Sequence, residues 1–455
     1  LGDVYKRQLV SWLVDVLNVL TGNLDREGGA MFSKAAAGAR NTSGAPGRGR
    51  GVRFGRWKSR VRGLPEIYSE LPASCLAEEI DTPGAGQVRA LITLAGNPAL
   101  STPNSRRLQQ ALGQLDFMVS VDMYLNETTR HANVILPPSP ALTRSHYDLS
   151  FYQLSIRNIA HFSQPVIERE PGAIDEWEIY LRLVAILSGL GATADPRVVD
   201  DLATMALIQR EVSTPGSPVE GRDASELMAA LQPRIGPERM LDFMLRSGPY
   251  GDGCGKHDGL SLAELEQHPH GLDLGPLQPR IPEVLRTPSG MIELAPQPLV
   301  EDVERLRASF EEELAGENGH MLLIGRRDLR SNNSWMHNLH VLTKGKERCT
   351  LHMHPGDAGR LGIDDGELAC VASRTGTVEI AVEITDAIMP GVVSIPHGWG
   401  HDQPGTQMHI ATAHAGVNTN ILADADEVDP LSGNAVLNGV PVEVQRTGTR
   451  ISETR

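Results

Sequence analysis

Residues 88–138, VRALITLAGNPALSTPNSRRLQQALGQLDFMVSVDMYLNETTRHANVILPP, constrain the fold more than any other stretch of the chain. The apolar run 90–95 suits a strand buried on both faces, and Gly96, Asn97 and Pro98 break it. Thr102 followed by Pro103 signals a helix start, with Leu108, Leu112 and Leu115 spaced as a buried stripe. Residues 117–121 read as the next strand and deliver Asp122 at its carboxyl end. This order is a βαβ unit, and ligands of such sheets bind beyond the carboxyl ends of the strands. The Gly96 turn and Asp122 are therefore expected on one ligand edge.

From His320 onward the pattern changes to short strands. Segments 321–324, 367–373, 377–384 and 392–395 are separated by turn signals at Asp365-Gly366, Thr375-Gly376 and Pro390-Gly391. One short helix, 355–361, interrupts them and ends at Gly362 in the left-handed conformation. A small β-barrel is the natural architecture. Between the two regions, 175–190 reads as an amphipathic helix, and 198–243 contains helical pieces broken at Pro215, Pro218 and Pro233. Residues 248–286 are rich in loops, 291–294 read as a short strand, and 300–314 as a charged helix.

A length of 455 residues exceeds one compact core and suggests about three domains or subdomains. A formal charge of -15 argues against a general polyanion-binding surface, and no apolar run is long enough to span a bilayer. Residues 34–62 run against that charge, with nine basic residues, no acidic one, and Phe54 and Trp57 interleaved. Such a stretch suits either nucleic acid or a long ordered loop lining the entrance for an anionic cofactor. The acidic remainder of the chain favours the loop. Cys75, Cys254, Cys349 and Cys370 have no C-x-x-C spacing, so they specify neither a disulfide framework nor an iron–sulfur site, and a reducing, cytoplasmic setting is expected.

The chain starts at Leu1, and residues 3–8, DVYKRQ, match the in-frame translation of a common sequencing-library adapter, so residues 1–8 are set aside. Leu9, Leu13, Val16, Leu17 and Leu20 then mark one face of a buried helix ended by Gly22-Asn23. A helix beginning so abruptly implies upstream sequence, in which any export signal would lie.

Five motifs in order are similar to those of the dimethyl sulfoxide reductase family of molybdopterin-dependent oxidoreductases, in a formate dehydrogenase-like form. They are LNVLTGNLDREGGAMF, the GNP turn, VDMYLNETTRHANVILPP, TPSGMIEL, and the run from LLIGRRDLRSNN to VNTNILADADEVDPLSGNAVLNGVPVEV. The resemblance covers nearly everything after Gln8. It implies an α/β Rossmann-like cofactor domain whose later part is residues 9–200, a helical and loop-rich connection over 201–317, a double-psi β-barrel domain over 318–443, and a tail over 444–455. It also implies a bis-molybdopterin guanine dinucleotide holding molybdenum or tungsten, a small-molecule substrate and a redox partner protein. The family's protein ligand to the metal and its 4Fe-4S cysteines lie upstream of the part matched here, so this portion alone is not expected to catalyse.

Within the resemblance, each residue has a chemical reason. Asp122 ends a strand with a carboxylate that can accept both N–H groups of a guanine edge, although an Asp there also caps the turn before Asn126. Gly96, Asn97 and Pro98 bring backbone N–H groups toward a pyrophosphate. Thr128 and Thr129 start a helix whose N-terminus would face an anion. Asn133 stands where the family usually has Asp. In the barrel, Arg326, Arg327 and Arg330 offer cationic forks and Ser331, Asn332, Asn333 and Ser334 offer hydroxyls and amides for phosphate and pterin edges. Asn420 matches a cofactor-contacting Asn, Asn438 replaces a Lys, and His337 and His397 are expected at the cofactor's edge.

Nine histidines fall between His320 and His414. His352-Met353-His354 on a strand would put two rings on one face, as a zinc or copper site needs. No acidic or Cys partner recurs at ligand spacing, which favours cofactor contacts instead. The resemblance implies oxidation of formate or another small anion, suggested by RSNNSWMHN and HGWGH, with nitrate and S- or N-oxide reduction as alternatives. The non-catalytic alternative is an electron-transfer subunit like the large iron–sulfur subunit of respiratory complex I, which has this fold without the molybdenum cofactor.

Overall fold

The computed structural model describes residues 7–38, 47, 54–315 and 320–450. The chain forms two compact units, each discontinuous in sequence: 1–12, 53–137 and 295–455 in one, 13–52 and 138–294 in the other.

In the first unit the strands Ala90–Leu94, Phe117–Val121 and Val134–Ile135 form a three-stranded parallel sheet in that order. Two helices, Leu76–Asp81 and Ser105–Leu112, supply Ala77, Ile80, Leu108, Ala111 and Leu112 to a core with Met118 and Ala99. The strand expected to be buried on both faces is buried on neither side completely, for Ile92 is 38% and Leu94 52% exposed. The cause is position. Ala90–Leu94 is the edge strand, whereas Val119 and Val121, paired with Ile92 and Leu94 on the central strand, are buried.

The same unit contains a closed barrel of six strands, ordered Met321–Arg326, Val392–Pro396, Leu351–Met353, Thr377–Ile384, Glu367–Ala372 and Val440–Arg450. Two of its pairings are parallel: Arg326 lies opposite Pro396, and Met353 opposite Ile384. Period-two alternation sends Ala369 and Val371 inward, where they meet Leu323, Leu351, Met353, Val393 and Ile395. Closure removes the sheet edges, so this core needs no covering layer. The strand Val440–Arg450 pairs with Glu367–Ala372 and runs through residues expected to form a tail. The helix Pro355–Leu361 ends as anticipated, with Gly362 at φ 65°.

Within the basic stretch, residues 34–38 and 47 are loop as expected, but 54–58 form a strand, with Phe54–Lys58 pairing antiparallel to Pro65–Ile67. Its cations are matched by carboxylates, Arg56 by Glu66, Arg60 by Glu79 at 3.3 Å and Arg62 by Glu78 at 2.7 Å. These three forks are not free for phosphates. Residues 39–46 and 48–53 of the stretch lie outside the described residues.

The second unit is largely helical. Glu176–Leu187, Pro196–Val212, Ala224–Ala230 and Gly236–Arg246 carry the expected pieces, three of them capped by Asp175, Asp195 and Asp223. The buried Arg239 guanidinium donates to Asp200 and Asp201, both at 2.7 Å, so its charge is compensated. Residues 291–294 form no strand. Thr287 Oγ1 donates to the Met291 carbonyl and Ser289 Oγ accepts from the Met291 N–H, local bonds that fold TPSGM as a turn.

The first helix, Arg7–Leu20, begins inside the segment set aside as adapter-derived. Only Leu9 of its expected buried face is enclosed; Leu13, Leu17 and Leu20 are exposed. Among the described residues nothing covers that stripe. No helix among the described residues is long and apolar enough to cross a membrane.

Candidate functional site

The carboxyl ends of four strands in the first unit carry the polar side chains of the site. After Ala90–Leu94, Ala95 takes the left-handed conformation, φ 51°, and Gly96 does not, so the turn's strain rests on Ala95. Asn97 then precedes the short helix Pro98–Ser101, with Pro98 in its first turn. Asn97 is held from both sides: its Nδ2 donates to Glu127 Oε2 at 2.9 Å and its Oδ1 accepts from Thr128 Oγ1 at 2.6 Å.

After Phe117–Val121, Asp122 accepts from the Tyr124 N–H at 2.9 Å and from Asn126 Nδ2 at 3.1 Å. It therefore does cap its own turn. Each carboxylate oxygen keeps a further lone pair, and burial pushes the group above its ordinary value. Thr128 does not open an anion-binding helix. Its N–H and that of Thr129 both donate to Asn126 Oδ1, and the turn Thr129–His131 is a single 3-10 segment. The Thr128 hydroxyl instead accepts from the Ala99 N–H at 3.0 Å and braces the Asn97 turn. Asn133 Oδ1 accepts from the Met118 N–H at 2.7 Å, a bond between neighbouring strands that requires no charge.

In the barrel, Arg326 is partly buried and committed to the barrel's own backbone. Its guanidinium donates to the carbonyls of Ser394 at 2.6 Å and Thr350 at 2.8 Å and to Thr350 Oγ1 at 3.0 Å, and burial lowers its pKa. The following arginines remain nearer the surface: Arg327 donates to Asn333 Oδ1, and Arg330 is exposed. Asn332 and Asn333 both have positive φ, 42° and 62°, which tightens the loop carrying Ser331 to Ser334. A Cβ on Gly398 would stand 2.2 Å from the Asn333 carbonyl oxygen, so the turn after Val392–Pro396 seats against that loop only because residue 398 is glycine. His397, on the same turn, is held below its ordinary pKa by burial and then by Arg327.

The loops meet in a buried polar chain. His401 Nδ1 lies 2.8 Å from Glu127 Oε1, His401 Nε2 lies 2.9 Å from His337 Nδ1, and His337 Nε2 lies 2.7 Å from Ser331 Oγ. Glu127 and His401 have no exposed surface, and His337 and Ser331 almost none. Trp399 stacks on His337 with ring centroids 3.9 Å apart. Burial pushes His337 down to about 4. Burial alone would raise Glu127, but the hydrogen bonds from His401 and Asn97 hold its carboxyl below the usual range.

Asn420 is a stitch between elements, its Nδ2 donating to the Leu100 carbonyl at 2.6 Å. Asn418 does the same with Ser105 Oγ at 3.0 Å. Asn438 Oδ1 accepts from the Gly325 N–H at 2.7 Å, so its position in place of a Lys makes a neutral bond to the barrel backbone. The pair His352 and His354 diverges: His352 approaches Glu383 at 3.5 Å, while His354 caps the helix Pro355–Leu361 through Nδ1. Glu127 and Asn418 were not singled out from sequence, and His401 and Trp399 only as members of HGWGH. The signal lay in NETT and HGWGH, whose polar residues flank strand ends on both sides of the chain.

Comparison with known proteins identifies the domains that carry these residues. Residues 3–185 match the Molybdopterin oxidoreductase family model, and residues 321–441 match the Molydopterin dinucleotide binding domain. The chain is 25% identical over 325 residues to the probable oxidoreductase YoaE of Bacillus subtilis, covering 70% of this chain and 40% of that protein. It is 22% identical over 414 residues to the dimethyl sulfoxide/trimethylamine N-oxide reductase of Rhodobacter capsulatus, covering 81% of this chain and 46% of that one. In structure it is similar to acetylene hydratase from Pelobacter acetylenicus, with a TM-score of 0.56 and 18% identity over 82% of this chain and 46% of the other. The chain thus spans less than half the length of each of these three proteins. The dinucleotide-binding match supports the expected bis-molybdopterin guanine dinucleotide with molybdenum or tungsten as cofactor. The chain belongs to the molybdopterin oxidoreductase family.

Proposed function

We propose that the strand-end loops of the first unit cradle one face of a molybdopterin guanine dinucleotide in an oxidoreductase acting on formate or a similarly small oxidisable anion. The observation that carries the cofactor part is the grouping of donors and acceptors from Asn97, Asp122 and Ser331 at carboxyl ends of strands, the edge where parallel sheets bind ligands. The parallel order of the sheet supports the Rossmann-like assignment, and the two parallel pairs within the closed barrel support the double-psi assignment.

The residues present fit such a group. Asp122 offers a guanine edge its free lone pairs, Arg327 and Arg330 offer charge to a pyrophosphate, and two buried ring nitrogens, His131 Nε2 and Trp399 Nε1, have no protein partner. When bound, the metal-bearing cofactor supplies the change of oxidation state; the protein binds, orients and tunes it. Among the described residues no three His, Cys, Asp or Glu side chains are grouped to hold a metal, so the reading assigns no metal ligand to them. The four free thiols suit a reducing, cytoplasmic compartment, and electrons would pass to a redox partner protein.

The substrate part rests on RSNNSWMHN and HGWGH. Reduction of an S- or N-oxide is the second reading, favoured by the likeness to the Rhodobacter capsulatus reductase. Full-length protein purified from cofactor-competent cells should contain molybdenum or tungsten and release guanine nucleotide on acid hydrolysis; absence of both metals overturns the cofactor reading. Formate-dependent dye reduction, against dimethyl sulfoxide-dependent oxidation of reduced dye, separates the two substrates. An Asp122→Ala variant that stays folded should release several-fold less guanine nucleotide, and unchanged release removes Asp122 from the site.

A further inference from the structure

The chain from Glu127 to Ser331 has one consistent set of hydrogen positions when uncharged by extra protons. A carboxylate only accepts, so His401 Nδ1 carries hydrogen and donates to Glu127 Oε1. Neutral His401 then has a bare Nε2, which accepts from His337 Nδ1 across 2.9 Å. Neutral His337 in turn has a bare Nε2, which accepts the Ser331 hydroxyl hydrogen across 2.7 Å. All three bonds point toward Glu127, whose second oxygen is occupied by Asn97 Nδ2.

We propose that Glu127, His401, His337 and Ser331 form a one-proton relay whose protonation reverses the hydrogen-bond direction of the Ser331 hydroxyl. A proton from solvent binds His337 Nε2, and Ser331 then accepts there while its own hydrogen turns outward. If the charge moves on to His401, the His337 Nδ1 proton crosses to His401 Nε2, and His337 Nε2 still carries hydrogen. Ser331 therefore flips in either case. A second proton is excluded by geometry, because it would set the His337 Nδ1 and His401 Nε2 hydrogens against each other within 2.9 Å. The first changes the cluster from a net charge of minus one to zero, and burial of His337 confines that step to acid pH.

The surroundings suit this. Burial and then His401 oppose a proton on His337, while Asp328 and Glu127 attract one; Arg130, whose Nε donates to the Glu127 carbonyl at 3.3 Å, and Arg327, beside His397, are the nearby cations. Burial and then Arg130 lower the His131 pKa. Trp399 closes one face of His337. The ends of the relay, Asn97 and Ser331, are two of the residues assigned to the cofactor's border, and only the functional meaning of the relay rests on that reading. There, a hydroxyl able to change from donor inward to donor outward can answer added negative charge without moving the backbone.

The test needs no cofactor. In the full chain labelled with 15N-histidine, nitrogen shifts of His337 and His401 followed from pH 9 down to the onset of acid unfolding should move together with one midpoint and a total of one proton. Glu127→Gln should lower that midpoint by about one to three pH units, because the compensating charge is gone. Should that variant not fold, Ser331→Ala still tests the relay: the shared midpoint should persist at a lower pH, since the acceptor for His337 Nε2–H is lost. Two independent midpoints in the wild type, or the same midpoint in a folded Glu127→Gln protein, would overturn the relay. Neither result depends on cofactor content, so failure of the relay and failure of the cofactor reading are separable.

Discussion

The barrel and the three-stranded sheet share one compact unit but are stabilised differently. In the barrel, closure lets Val393 and Ile395 disappear completely from solvent. In the sheet, Ile92 and Leu94 stay partly exposed on an edge strand. The barrel can thus be held by aliphatic packing alone, whereas the sheet's strand ends are fixed by buried polar bonds that reach into the barrel. Such bonds specify geometry well and tolerate loss poorly.

The comparison predicts a graded series. Glu127→Ala should be the most damaging single change, about 3–5 kcal/mol by urea denaturation, because it leaves the buried His401 and Asn97 donors without the carboxylate that accepts from both. A cost near zero would show that the sheet does not depend on this contact. Ile395→Ala should cost about 2–5 kcal/mol, since a closed barrel cannot collapse around the cavity. Asn418→Ala, which strands the Ser105 hydroxyl, should cost about 1–3 kcal/mol.

Acid should weaken the unit through His337. Its folded pKa lies below the unfolded value of 6.5, so the folded state binds fewer protons between that value and about 4. This contribution to stability is present above pH 6.5 and declines as pH falls toward 4. A His337→Asn variant should show a flatter dependence of its thermal midpoint on pH across that window; an unchanged slope would assign the acid sensitivity elsewhere. Smallest of all, Ile92→Ala should cost less than about 1 kcal/mol, since its side chain is already partly in water. A value like that of Ile395 would erase the contrast between sheet and barrel.

What was legible in the sequence was what local chemistry determines. The strands Phe117–Val121 and Thr377–Ile384 follow from apolar patterning, and the end of the helix Pro355–Leu361 follows from glycine's freedom at positive φ. Partnership was not legible. Arg326 reads as a surface cation until the barrel wraps carbonyls around it, and the exposure of Ala90–Leu94 depends on its place at the sheet edge. Of the candidate site, Asp122 and the Asn97 turn could be named because they end predicted strands. Glu127 and His401 could not be paired, because each sits in a loop whose partner is supplied by the other end of the chain.

That pairing has a consequence for synthesis. Glu127 and His401 are 274 residues apart, and the second unit's segment 138–294 lies between them in sequence. At ribosomal rates of about 5–20 residues per second, Glu127 emerges tens of seconds before its histidine exists. During that interval the sheet must wait with its buried carboxylate unpaired and its apolar edge open, a nascent state in which chaperone binding would matter most and in which translational pausing before the barrel would prolong the risk of misassembly.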